Sequence, residues 1–94
     1  MVKITQKGKK AWVTFTAPDT VAGAENVMIK GSWNEWIPEP LKRKKNGEFY
    51  ITKVLPTGKT YEFGYEVDES AWVIDNDLPT IETPFGSFNS VLKL

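Results

Sequence analysis

The sequence predicts an all-β domain, an immunoglobulin-like antiparallel β-sandwich of about seven strands. Three observations carry this. No stretch sustains a helical apolar period, and 7 Gly and 6 Pro interrupt the chain throughout. β-Branched and aromatic residues hold most apolar positions and alternate with polar ones. Turn signatures return at roughly 8–12-residue intervals, the spacing of short sandwich strands.

The elements follow in order. Ala11-Trp12-Val13-Thr14-Phe15-Thr16-Ala17 alternates as a strand and is ended by Pro18-Asp19. Asn26-Val27-Met28-Ile29-Lys30 is the next strand, stopped by Gly31. A loop runs from Ser32 to about Glu39. Leu41 to Lys44 then opens a hairpin whose turn is Asn46-Gly47, since both residues tolerate positive φ. Glu48 to Leu55 returns and ends at Pro56-Thr57-Gly58. The next strand alternates most clearly, with Tyr61, Phe63, Tyr65 and Val67 on one face and Glu62, Gly64 and Glu66 on the other. A short strand around Ala71-Trp72-Val73-Ile74 precedes a loop from Asp75 to Pro84. The last strand, Ser87 to Leu94, puts Phe88, Ser90, Leu92 and Leu94 opposite Ser87, Asn89 and Val91. Residues 1–10 read as a frayed basic extension, and residues 11–94 as one module.

Composition narrows the chemistry. The 94 residues carry 12 Lys/Arg against 12 Asp/Glu, with no His and no Cys. That excludes thiol nucleophiles, disulfides, His-dependent triads and the usual zinc sites. Zero net charge argues against a nucleic-acid binder, which needs a basic excess. No run of apolar residues is long enough for a membrane span, and the N-terminus lacks a signal-peptide h-region, so a cytoplasmic location is expected. What stands out is the aromatic content: four Trp, three Tyr and five Phe.

Phase assigns many of these rings to the core. Phe15 shares a face with Val13, Phe49 with Ile51 and Leu55, and Tyr61, Phe63 and Tyr65 line one face. Phe88 goes to the core by the same argument, and Trp33, just after a strand, plugs the sandwich end. Trp12 is out of phase with Val13 and covers an edge or the outer face. Trp36 instead stands in a loop with no alternating partner, Trp72 starts a short strand after the polar turn Asp68-Glu69-Ser70, and Phe85 ends a long loop between Pro84 and Gly86. Rings rimmed by polar groups mark an interaction surface. An indole face suits the C–H face of a sugar ring, and Ser87 and Asn89 supply hydroxyl and amide partners at two-residue spacing. Gly64, inside a clean strand, marks either a local bulge or a close approach by a ligand or another backbone.

Gly31-Ser32-Trp33-Asn34-Glu35-Trp36 resembles the G-[SD]-[FW]-N-x-W signature of family forty-eight carbohydrate-binding modules. That family takes in the glycogen-binding domain of the AMP-activated protein kinase β-subunit and the early-set domains of isoamylases and glycogen-branching enzymes. The similarity continues through Leu55-Pro56-Thr57-Gly58, the Tyr61 to Asp68 strand, Trp72 with Asp75, and Phe85-Gly86-Ser87-Phe88-Asn89. It implies an early-set sandwich, no cofactor, and an α-1,4-glucan ligand: glycogen, starch or maltooligosaccharides. It also implies association with a glycogen-metabolising enzyme or a kinase. By resemblance, Trp36 and Trp72 stack on successive glucose units, Phe85 wedges into the glucan curve, and Ser87 and Asn89 hydrogen-bond it. A family Lys that contacts sugar falls on Gly64, where the side chain is missing, and the turn before Trp72 is one residue longer than the family pattern. Some early-set domains of this kind pack against a catalytic domain and bind no sugar, so a structural or protein-interaction role is the alternative.

Other chemistries are weaker. Glu62 and Glu66 share a strand face and invite a glycosidase reading, but they lie four residues apart on a sheet with no water-excluding cleft. Catalysis is therefore not expected. Lys42-Arg43-Lys44-Lys45 reads as a solvated hairpin arm. Asp75-Asn76-Asp77 resembles the opening of a calcium loop but lacks its Gly and distal Glu, so no metal is expected.

Overall fold

The computed structural model describes all of residues 1–94. It is all-β, with two antiparallel sheets packed face to face and no α-helix. The strands are β1 (Val2–Lys7), β2 (Lys10–Thr16), β3 (Val27–Gly31), β4 (Glu39–Pro40), β5 (Lys42–Arg43), β6 (Phe49–Pro56), β7 (Thr60–Val67), β8 (Ala71–Val73), β9 (Thr80–Glu82) and β10 (Phe88–Lys93). One sheet has the order β1-β2-β6-β5; the other runs β4-β3-β7-β10-β9, with β8 also paired to β7. No helix is long and apolar enough to cross a membrane.

The core lies between the sheets and follows the alternation. Ala11, Val13 and Phe15 point inward from β2, and Phe49 and Leu55 from β6. Val27 and Ile29 of β3, Tyr61, Phe63 and Tyr65 of β7, and Leu92 of β10 meet them. Phe63 sits edge-on to both Phe15 and Tyr65, with ring centroids 5.0 and 5.8 Å away. Trp33 closes one end, 5.2 Å from Phe15 and 6.0 Å from Phe63, as its place after β3 predicts. Tyr61 donates its hydroxyl to the Pro56 carbonyl at 3.0 Å, tying the β6–β7 corner. Trp12 lies on the outer face of β2, opposite Val54.

Three strands go beyond the expected seven: β1, β4 and β9. The frayed extension is corrected over Val2–Lys7, which pairs along its full length with β2. Gly8, at φ +62°, makes the tight turn that allows this. Val2 reaches the core, while Lys3 and Lys7 face out on an edge strand that their charge protects from further pairing. The expected loop from Asp75 to Pro84 likewise contains β9, where Ile81 opposes Asn89.

Phe88 is also corrected: it is 46% exposed, not core. β10 pairs with β7 only as far as Ser90–Phe63; beyond that point β8 takes its place, with Val73 opposite Tyr65. Phe88 therefore lies where β10 has left the sandwich, paired to Glu82 of β9. Alternation gives a side chain's face but not whether the opposing sheet reaches that far.

Candidate functional site

Trp36 is aimed outward by a sharp reversal after β3. Ser32–Asn34 form a 3-10 turn, and Glu35 and Trp36 follow with φ of 61° and 65°. Each such left-handed residue costs about 1–3 kcal/mol. The surrounding contacts hold it. Trp36 N–H donates to Gly31 O at 3.0 Å, and Asn34 Nδ2 donates to Ile37 O at 3.2 Å and Glu39 Oε1 at 2.6 Å. Lys53 Nζ meets the other Glu39 oxygen at 2.5 Å. Gly31 is required because a Cβ there would fall inside the Trp33 indole. One six-residue motif thus sends Trp33 into the core and leaves Trp36 36% exposed on the outer face.

Trp72 comes from the β7–β8 hairpin. Asp68 and Glu69 both have positive φ, and Asp68 Oδ1 anchors the turn by accepting the N–H groups of Glu25 and Asn26 at 2.9 and 2.8 Å. Trp72 pairs with Glu66, and its indole lies across the neighbouring Gly64. Its Nε1 donates to Phe88 O at 2.8 Å. Gly64 therefore does mark a close approach, but by the Trp72 ring, which a Cβ would enter.

Phe85 crowns the β9–β10 hairpin and is 94% exposed. The tip is ordered by Thr83 N–H to Ser87 O at 2.8 Å, by Thr83 and Ser87 hydroxyls 2.8 Å apart, and by Gly86 at φ +82°. One strand step inward, Asn89 is 8% exposed and donates from Nδ2 to Glu62 Oε1 at 3.1 Å.

These side chains meet in one open cleft of about 500 Å³. Trp36, Trp72, Phe85, Ser87 and Asn89 line it, and Gly64 lies beneath the Trp72 indole. The structure thus brings together residues 36, 72, 85, 87 and 89, drawn from three separate segments. Glu62, considered from the sequence only as half of a carboxylate pair, also lines it, together with Ile81, Glu82, Thr83 and Pro84, which were not singled out. Thr83 had a readable signal: with Ser87 it brackets Pro84-Phe85-Gly86, a turn sequence. A place for Glu62 in the cleft was not read, because a carboxylate on an outer strand face reads as solvated.

A second hollow, of about 590 Å³, lies beside Trp33, Lys53, Lys59 and Tyr61. Its ring faces are spent on the core, since Trp33 packs against Phe15 and Tyr61, so it offers no stacking platform. Asp75 is committed elsewhere: it is buried, its Oδ1 accepts Asp77 N–H at 3.0 Å, and its Oδ2 lies 2.7 Å from the Met1 amino group. No three His, Cys, Asp or Glu residues are grouped to hold a metal ion.

Comparison with known proteins gives the family. Residues 19–94 match the family model described as the glycogen recognition site of AMP-activated protein kinase. The SNF1-related protein kinase regulatory subunit beta-2 of Arabidopsis thaliana is 31% identical over 72 residues, covering 77% of this chain and 24% of that protein. The 5'-AMP-activated protein kinase subunit beta-1 of Rattus norvegicus is 29% identical over 72 residues, 77% of this chain and 26% of its own length. The chain thus spans about a quarter of each of these two relatives. With the signature motif, the sandwich and the outer-face aromatic cleft in place, the chain belongs to the family of the glycogen recognition site of AMP-activated protein kinase.

Proposed function

We propose that this chain binds α-1,4-glucans, such as glycogen, starch and maltooligosaccharides, and does not alter them. The carrying observation is the convergence of two indoles, an exposed Phe85 and the polar Ser87 and Asn89 on one open cleft. Trp36 and Trp72 stack on successive glucose rings, Phe85 enters the curve of the chain, and Ser87 and Asn89 bond its hydroxyls. Affinity is modest, about micromolar to millimolar, because a shallow preformed face buries little ligand.

The carboxylates support binding without chemistry. Glu66 is tied to Lys30 Nζ at 2.8 Å and Glu62 to Asn89, and the cleft is open to water, so no pair of carboxylates faces across an enclosed bond-breaking site. Glycogen in a native gel should retard the protein, and maltoheptaose should change its tryptophan fluorescence. Unchanged mobility together with unchanged fluorescence would refute the proposal.

A second reading, a protein-docking role, draws on a different face. Trp12 and Val54 lie side by side on the outside of the other sheet, 41% and 49% exposed. The relatives' names, a protein kinase regulatory subunit and a protein kinase subunit, favour a kinase as partner. Trp12→Ala separates the readings: loss of a partner with glucan retention intact assigns docking to that face.

A further inference from the structure

The cleft carries a charge pattern that its rings do not explain, and the meaning of that pattern rests on the cleft being the sugar site. Its charged lining residues are Glu62 and Glu82, with no Lys or Arg among them. Neither carboxylate belongs to an ion pair, since the salt bridges of the chain are Met1–Asp75, Lys30–Glu66, Lys44–Glu48 and Lys53–Glu39. Lys30, the cation directly opposite Gly64 in the sheet, is spent on Glu66.

Glu62 is also held in place. Its Oε1 accepts from the buried Asn89 amide at 3.1 Å, which fixes the carboxylate beside the indoles. Its other oxygen remains an acceptor for a ligand. A sugar hydroxyl donates to it. A protonated amine does so with charge assistance and is further attracted to the face of a neighbouring indole. A phosphate brings like charge toward two unpaired carboxylates and finds no cation in the lining.

We propose that the cleft sorts glycans by charge, with Glu62 as the specificity-determining residue. It accepts neutral glucose units, turns away phosphorylated ones, and holds hexose units bearing a protonated amino group more tightly.

The test compares three ligands of one backbone: maltoheptaose, maltoheptaose carrying 6-amino-6-deoxy units, and maltoheptaose carrying 6-phosphates. Titration at about pH 5.5 keeps the amines protonated. The expected order is amino, neutral, phosphate, with about tenfold between neighbours at low salt, the effect of about one pKa unit of interaction. In about 1 M salt the three affinities should converge on the neutral value. Glu62→Gln keeps an acceptor for Asn89 but removes the charge, so the affinity ratios among the three ligands should collapse towards one, whatever the change in maltoheptaose affinity itself. Equal affinities for the three ligands would overturn the inference, as would an order that survives Glu62→Gln and vanishes only in Glu82→Gln. Maltoheptaose binding without a charge order overturns this inference alone. Failure of all three to bind overturns the glucan reading with it.

Discussion

The indole of Trp72 lies where a side chain on Gly64 would stand. A Cβ built on Gly64 enters the six-membered ring of Trp72, whose Nε1 is fixed 2.8 Å from Phe88 O. A glycine in the middle of a strand costs stability. Here it creates the flat seat on which a binding ring rests, and that seat connects β7, β8 and β10.

Gly64→Ala should therefore lift the Trp72 ring off the strand. Overpacking of this kind costs about 1–3 kcal/mol of stability. Loss of the Nε1 hydrogen bond and of ring orientation should weaken glucan binding about tenfold, the worth of one aromatic contact. Circular dichroism would establish the fold and titration with maltoheptaose the affinity. A stable Gly64→Ala protein with parental affinity would show that the seat is not used.

Trp36→Ala should behave differently, because Trp36 is exposed and its backbone is set by the Gly31–Glu39 network rather than by its ring. Stability should change by about 0.5 kcal/mol or less, as for surface substitutions generally. Glycogen retention should fall to background. In the same turn, Glu35→Gly should leave glycogen retention unchanged and stabilise by about 1 kcal/mol, since glycine adopts φ 61° without strain. A thermal melt and a native glycogen gel check both substitutions.

Much of this site was legible because its rings break the alternation around them. Trp36 and Phe85 have no partner at two-residue spacing, and Trp72 follows a polar turn. Their convergence was not legible, since it depends on β10 leaving β7 at Ser90 so that β8 can bring Trp72 to Phe88 O. That same departure exposes Phe88. Gly64 stayed ambiguous because strand phase says nothing about diagonal neighbours on the next strand. β1 was hidden by its lysines, although Val2 and Ile4 alternate within it, and β9 by its brevity between prolines.

Ser90 makes a prediction about stability alone. It is fully buried; its Oγ accepts Asp75 N–H at 2.7 Å and donates to Asp75 O at 3.1 Å. Ser90→Ala leaves a buried N–H without a partner, at a cost of about 1–3 kcal/mol. The melting temperature should fall by about 4–8 °C per kcal/mol for a domain of this size. Glucan affinity at temperatures where the domain stays folded should not change, because Ser90 faces away from the cleft.

Tyr65 gives the alkaline limit. Its ring is buried, its hydroxyl has no hydrogen-bond partner, and burial, reinforced by the Asp75 carboxylate, pushes its phenol well above the ordinary value. The folded state therefore keeps the proton after the unfolded chain has lost it. The stabilising contribution is complete below about pH 10, the unfolded value, and declines above it by about 1.4 kcal/mol per pH unit. Tyr61, also raised by burial, adds to the same decline. Tyr65→Phe removes both the titration and a buried hydroxyl without a partner. It should raise stability at neutral pH, by up to about 1–3 kcal/mol, the cost of leaving such a group unpaired. It should also flatten the alkaline limb, leaving the slope due to Tyr61. Urea denaturation from neutral to alkaline pH measures both effects. A Tyr65→Phe protein that is less stable at neutral pH would mean that the hydroxyl is satisfied after all.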